Sequence, residues 1–146
     1  MTQEIAIESQ GIISLTIPGE PQGKRRARFA RAGHFIKSYA DPATVNYETF
    51  IREMFCLAYP GFVPLSGELE VEIAAFCSIP KSASKKKRAL MKGGGLRPAK
   101  KPETDNIAKV VLDALTGLAF ANDSQVVRLI VEKSYSDRPR ITVEVR

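Results

Sequence analysis

The chain reads as one α+β domain, a mixed β-sheet with helices packed on it. Three observations lead there. Residues 68–78 alternate, with Leu69, Val71, Ile73, Ala75 and Cys77 on one side and Glu68, Glu70, Glu72, Ala74 and Phe76 on the other. That is the period of a half-buried strand. Residues 105–116 repeat instead at helical spacing, and Ile107, Val110, Val111, Ala114, Leu115 and Leu118 form one stripe. Strand and helix patterns are interspersed over 146 residues, with no internal repeat and no linker. That length suits one domain with a substantial core.

Each remaining element has its own signal. Residues 12–17 predict a short strand closed by Pro18-Gly19. Residues 20–31 are expected as a basic loop, because Pro21 and Gly23 oppose regular structure, and residues 33–36 as a second strand. Asp41-Pro42 is a helix start, since Asp caps and Pro suits the first helical position. That helix should run to Ala58 on a face of Val45, Phe50, Ile51, Met54, Phe55 and Ala58, and stop at Pro60-Gly61. Ser82 is expected to cap a short basic helix over 85–92, ended by Gly93-Gly94-Gly95. Gly117 should stop the helix over 105–116. Residues 125–133 and 140–145 read as two final strands.

Composition excludes several classes. The apolar fraction is 44%, with no run able to span a membrane. Met1-Thr2-Gln3-Glu4 lacks the cationic start of a secretory signal, so a cytoplasmic protein is expected. Cys56 and Cys77 have no Cys or His neighbour at metal spacing, and are expected as buried free thiols. With His34 the single histidine, no Ser-His-Asp or Cys-His set is available. The triple glycine lacks the Lys-Ser/Thr of a phosphate-binding loop.

Charge placement is more informative than the net +6. Residues 21–40 hold Lys24, Arg25, Arg26, Arg28, Arg31 and Lys37 and no acid. Residues 81–102 hold Lys81, Lys85, Lys86, Lys87, Arg88, Lys92, Arg97, Lys100 and Lys101, again with no acid. Fifteen of the 22 cations therefore lie in two acid-free segments. Solvated loops would explain either run alone, but two runs flanking a carboxylate cluster make a polyanion the leading partner.

The cluster is Glu103, Asp105 and Asp123, with Lys109 beside it. Asp105 could simply cap the helix, stabilising by roughly 1 kcal/mol. Capping leaves Glu103 unexplained. In an extended Glu-Thr-Asp stretch the two carboxylates point the same way, at the positive end of a helix dipole. Two such groups repel, and a bound cation removes the conflict. Mg²⁺ is usually held by one or two carboxylates plus phosphate. The twelve-residue helix spans about 18 Å. Residues 117–123, if extended, cover roughly 23 Å, so Asp123 could return to the helix start or serve a second subunit. Lys109 and Asp113 continue the face of Asp105 at four-residue steps. They could form helix salt bridges of about 0.2–0.5 kcal/mol each, or Lys109 could stabilise charge on a phosphate in the transition state. Glu68, Glu70 and Glu72 lie in line about 7 Å apart and are expected on an exposed strand face.

The run Lys101-Pro102-Glu103-Thr104-Asp105-Asn106-Ile107-Ala108-Lys109, then Asp113-Ala114-Leu115-Thr116, then Asn122-Asp123-Ser124-Gln125-Val126, resembles the RusA family of Holliday-junction resolvases. Residues 18–28 also look like the basic loop of its phage-type members, often encoded by prophages. The resemblance implies a homodimeric Mg²⁺-dependent endonuclease, with Mn²⁺ as a substitute, that cuts four-way DNA junctions by paired nicks in recombination and repair. By position, Glu103, Asp105 and Asp123 would be metal ligands and Lys109 the catalytic lysine. Lys24, Arg25, Arg26, Arg28, Lys85, Lys86, Lys87, Arg88, Arg97, Lys100 and Lys101 would hold DNA backbone. Two departures stand out: Glu103 and Asn122 replace Asp. The longer Glu103 side chain bears on the strict octahedral geometry of Mg²⁺. The competing readings are a non-cleaving module for branched or single-stranded nucleic acid, and a general or RNA nuclease.

Overall fold

The computed structural model describes residues 12–146; the reading of the first four residues lies outside them. The chain runs β1 (Ile13–Pro18), β2 (Arg28–Ala32), β3 (Phe35–Tyr39), α1 (Pro42–Ala58), β4 (Leu69–Ser78), α2 (Lys85–Lys92), α3 (Thr104–Leu115), a 3-10 turn (Asp123–Gln125), β5 (Val126–Ser136) and β6 (Arg140–Val145). This is the α+β class expected, on a mixed sheet. Its order is β1-β6-β4-β5, with β1 and β4 antiparallel to β6 and β5 parallel to β4.

The alternation of β4 is what places the core. Leu69, Val71, Ile73, Ala75 and Cys77 are buried, and so are Ile13, Leu15 and Ile17 of β1 and Ile141, Val143 and Val145 of β6. Against this face pack Ile51 and Phe55 of α1 and the Ile107, Val110, Val111, Ala114 and Leu115 stripe of α3. Burying each large aliphatic group contributes about 1.5–3 kcal/mol. Glu70 and Glu72 turn outward, as expected, and meet Arg146, with Arg128 near Glu72.

Several local expectations change. The segment expected as loop to Arg31 forms β2, which pairs antiparallel with β3 through Ala32↔Phe35. The turn between them opens on Gly33 at φ 63°, as a tight hairpin turn requires. All ten strand residues of this hairpin are exposed, Phe29, Phe35 and Ile36 included. On α1 the buried positions are Thr44, Tyr47, Ile51 and Phe55, while Val45 and Ala58 face solvent. A helix lying across both sheet and loop buries a different stripe from one read by apolarity alone. Cys56, on the outer side of α1, is exposed rather than buried. Ser84, not Ser82, caps α2 by accepting from the Lys87 amide, 3.2 Å. The third helix begins one residue early, so Glu103 is the N-cap residue and makes no side-chain cap bond. Asp105 therefore sits inside the first turn and does not cap it.

Two side chains tie the helices together: Arg52, which the sequence did not single out, and Lys24, which was expected on DNA. Arg52 of α1 donates to the carbonyls of Ala114 (2.9 Å) and Thr116 (3.2 Å), closing the C-terminus of α3. Lys24 donates to Glu48 of α1 (2.8 Å) and Asp113 of α3 (2.7 Å). Its backbone N–H also bonds the Asn106 carbonyl, 2.9 Å. The i,i+4 pairing open to Asp113 and Lys109 is not made; Asp113 turns to Lys24 instead. Burial pushes the Lys24 ammonium down, but its hydrogen bonds to the two carboxylates outweigh this and raise it. Because the group is partly solvated, Lys24→Gln should cost only about 1 kcal/mol, read as a lower midpoint in urea denaturation.

Candidate functional site

The parallel pairing of β4 with β5 requires the chain to cross back between them, and α3 makes that return. Its N-terminus consequently lies at the end of β5, where Lys133 donates from Nζ to the Lys100 carbonyl. Its C-terminus lies at the start of β4, where Leu65 bridges Phe120. This direction decides which acids meet.

Glu103 and Asp105 meet. Both line a cleft of about 1030 Å³ together with Lys24, Arg25, Arg26, Lys101, Asn106 and Lys109. Both acids and Lys109 are exposed. The extended Glu-Thr-Asp geometry is not found, since Thr104 is already helical. The first turn of α3 brings the carboxylates to the cleft instead, where exposed helix N–H groups favour negative charge. The Glu103 backbone N–H holds its own carboxyl below the usual glutamate range. The Asn106 amide, donating to Oε2 at 3.1 Å, adds to this, and Lys101 and Lys133 contribute by charge. Glu103 is thus ionised and available to a cation above its lowered pKa. Lys109 has no carboxylate within ion-pair distance among the described residues, and neither does any cation lie that close to Asp105.

Asp123 does not join them within one chain. Residues 117–123 do not extend back along α3; they turn beside its C-terminus. There Asn122 accepts from the Ser124 amide (3.0 Å), and Gln125 accepts from the amides of Ala121 and Asn122 (3.0 Å each). The Gln125 amide also donates to the carbonyls of Leu65 and Gly67. Asp123 stands exposed on this turn, before β5. From Val126 to Lys133 the strand rises about 23 Å, so Asp123 and Glu103 lie at opposite ends of the sheet. Among the described residues no group of three or more His, Cys, Asp or Glu side chains is placed to hold a metal.

The cations divide into two groups. Lys24 is held by Glu48 and Asp113. Arg28 is held by the buried Asp41 at 2.7 Å, and Arg25 approaches the same carboxylate at 4.0 Å. Arg88 donates to the Pro80 carbonyl at 3.3 Å, and the Lys100 ammonium lies 5.9 Å from the centre of the Tyr135 ring. Arg26, Lys85, Lys86, Lys87, Arg97 and Lys101 are exposed, with no ion pair among the described residues. Sequence reasoning missed Asn106, whose signal was the Glu-x-x-Asn spacing on one helical turn. It also missed Gly23. A Cβ there would come within 2.9 Å of Asn106 Cβ and 3.1 Å of Pro102 Cβ, so the basic loop can lie against α3 only without a side chain. Gly23→Ala should cost about 1–3 kcal/mol and shift the Asn106 side-chain amide resonances in an NMR spectrum.

Comparison with known proteins gives the family. The family described as endodeoxyribonuclease RusA matches residues 18–146, which include the basic loop, α3 and the Asp123 turn. Among individual proteins, an uncharacterized protein of Bacillus subtilis (strain 168), YqaN, is 35% identical over 138 residues, covering 92% of this chain and 95% of that protein. With its acidic helix start facing a basic loop, and with a family match over nearly its whole length, the chain belongs to the RusA endodeoxyribonuclease family.

Proposed function

We propose that this protein is a Mg²⁺-dependent, structure-specific endodeoxyribonuclease that resolves four-way DNA junctions by paired nicks, as a homodimer in the cytoplasm during recombination and repair. One observation carries the reading: two exposed carboxylates, Glu103 with its pKa lowered, and a lysine with no ion pair among the described residues share a cleft with a basic loop. Cations gather the phosphodiester there, and the acids make the cleft fit for a divalent metal rather than for phosphate alone.

The donor set fits Mg²⁺, or Mn²⁺ in its place. Glu103 and Asp105 supply hard carboxylate oxygens, and the ion commonly fills its remaining positions with water and phosphate. Bound there, the metal would supply Lewis-acid polarisation of the phosphate and a more acidic water. The protein's own groups do the rest. Asn106 fixes the Glu103 carboxylate. Lys109, with no ion pair among the described residues, presents its charge to the phosphate oxygens as negative charge builds on them. Arg26, Lys101 and the α2 cations hold backbone on either side, which confers affinity without base readout. Asp123, at the far end of its own sheet, reaches this cleft only from a second copy of the chain. Each site would then be complete only in the dimer, which couples the two nicks to one bound junction.

A second reading, a binder of branched DNA that does not cut, has one observation in its favour: the third acid is absent from the cleft of a single chain. Thermal melts with millimolar Mg²⁺ separate the two, because a pure binder gains no stability from the ion.

The test is cleavage of a synthetic four-way junction in Mg²⁺, beside linear duplex and single strand. Symmetric nicks in opposed strands are expected. Asp105→Asn should abolish them while keeping or strengthening junction binding, since it removes a negative charge near phosphate. Junction binding with no cutting in either Mg²⁺ or Mn²⁺ would favour the second reading. Arg26→Gln should weaken binding to all DNA alike and lower the slope of log K against log salt by about 1.

A further inference from the structure

The β2–β3 hairpin is a two-stranded sheet of its own and pairs with no strand of the main sheet. Such a ribbon is only marginally stable in water unless something packs on it. Yet its large side chains stand in solvent. Phe29, Phe35 and Ile36 are 71, 78 and 72% exposed, and Tyr39 is 45% exposed. The strand register sorts them by face. Phe29, Arg31, Ile36 and Ser38 share one face, and Arg28, Ala30, Ala32, Phe35, Lys37 and Tyr39 share the other. Each face thus pairs apolar groups with a cation, Arg31 or Lys37, that has no ion pair among the described residues. Residues 21–40 hold no acid.

We infer, resting on the reading of the cleft as a DNA site, that this hairpin is a stacking arm for unpaired bases of branched DNA. Phe29 and Ile36 meet a base on one face, and Phe35 and Tyr39 meet a base on the other. Arg31 and Lys37 lie on the adjoining phosphates. Three observations single out nucleic acid. The arm leaves directly from the cleft, since Arg25, Arg26 and Ala27 line it and Arg28 opens β2. Its charge is of one sign and suits phosphate. Its rings can stack on any base, because every base has a π-face, and its cations add to that attraction. A lipid surface could meet only one face of the ribbon, whereas bases on either side of a gap between two stacks meet both.

Linear duplex offers such an arm nothing, because its bases already stack on each other. At a branch point the stack is interrupted, and a single strand has no pairing to break. Each strand of the arm has five residues. At about 3.4 Å per residue they carry it about 17 Å from its base, the length of about five stacked bases. The arm gives the chain a preference for unpaired over paired DNA that phosphate contacts alone do not confer.

The chain has no tryptophan, so Phe35→Trp places a single reporter on the arm. In EDTA, where DNA stays uncut, its emission should be quenched by a four-way junction and by single strand, and little by linear duplex. Phe29→Ala combined with Phe35→Ala, its fold checked by thermal melts, should weaken binding to junction and single strand about tenfold or more while moving duplex binding less than about twofold. Phe29→Tyr combined with Phe35→Tyr keeps both rings and should keep the affinity. Emission that the junction leaves unchanged, or equal losses on junction and duplex, would overturn the stacking arm. So would a blue shift on anionic lipid vesicles in place of quenching by DNA, which assigns the hairpin to a membrane surface. Weaker self-association of the alanine variant in sedimentation, with DNA affinity unchanged, would overturn it too and assign the hairpin to a contact between copies. Wild-type cleavage of the same junction in Mg²⁺ reports separately. Cutting without quenching removes only the arm, and quenching without cutting keeps the arm and removes the nuclease reading.

Discussion

The ammonium of Lys24 is the contact on which the candidate site depends. It joins three parts of the chain that share no sequence neighbourhood: the basic loop, α1 through Glu48, and α3 through Asp113. The backbone of the same residue bonds Asn106, whose side chain in turn holds Glu103. Arg28 and Arg25 at Asp41, and the backbone of Arg25 at Thr44, add to this anchor in fixing the loop against the helices. The cleft is therefore an inter-element feature, set by one partly buried cation rather than by the packing of the sheet below it.

Division of labour among the cations follows from this. A basic run seen in sequence gives every lysine and arginine equal standing as a phosphate ligand. Folding removes Lys24 and Arg28 from that pool, since their charges are spent on carboxylates of the same chain. Arg26 and Lys101 stay available on the two walls of the cleft. Net charge still steers DNA toward this side of the molecule, but only a subset of the cations is free to neutralise phosphate on arrival.

Much of the fold was legible because two periods are hard to confuse. The two-residue alternation of β4 and the helical stripe of α3 were visible in the sequence, and both bury the residues they implied. The RusA family was legible too, from motifs around α3 whose match extends over residues 18–146. What failed was anything that depended on a distant partner. Asp113 was read against its helix neighbour Lys109, while its true partner lies 89 residues away. Chain length permitted Asp123 to return to Glu103, but length sets only what is reachable. The capping bonds of Asn122 and Gln125 hold that turn at the other end of the sheet. Burial of Thr44 and Tyr47 in place of Val45 has the same cause: the loop that covers them belongs to another part of the chain.

Asp41 links the exposed hairpin to the body of the molecule in a way that makes the two fail together under acid. One of its oxygens accepts from Arg28 at the base of β2, and the other accepts from the Ala43 amide at the start of α1. The Arg28 guanidinium, above all, holds this carboxyl below its ordinary value of 3.8. A group whose folded pKa is depressed stabilises the fold above its unfolded value, and that contribution is lost as pH falls through the folded one. A single protonation, occurring below pH 3.8, would therefore loosen the arm and uncap the helix in the same step.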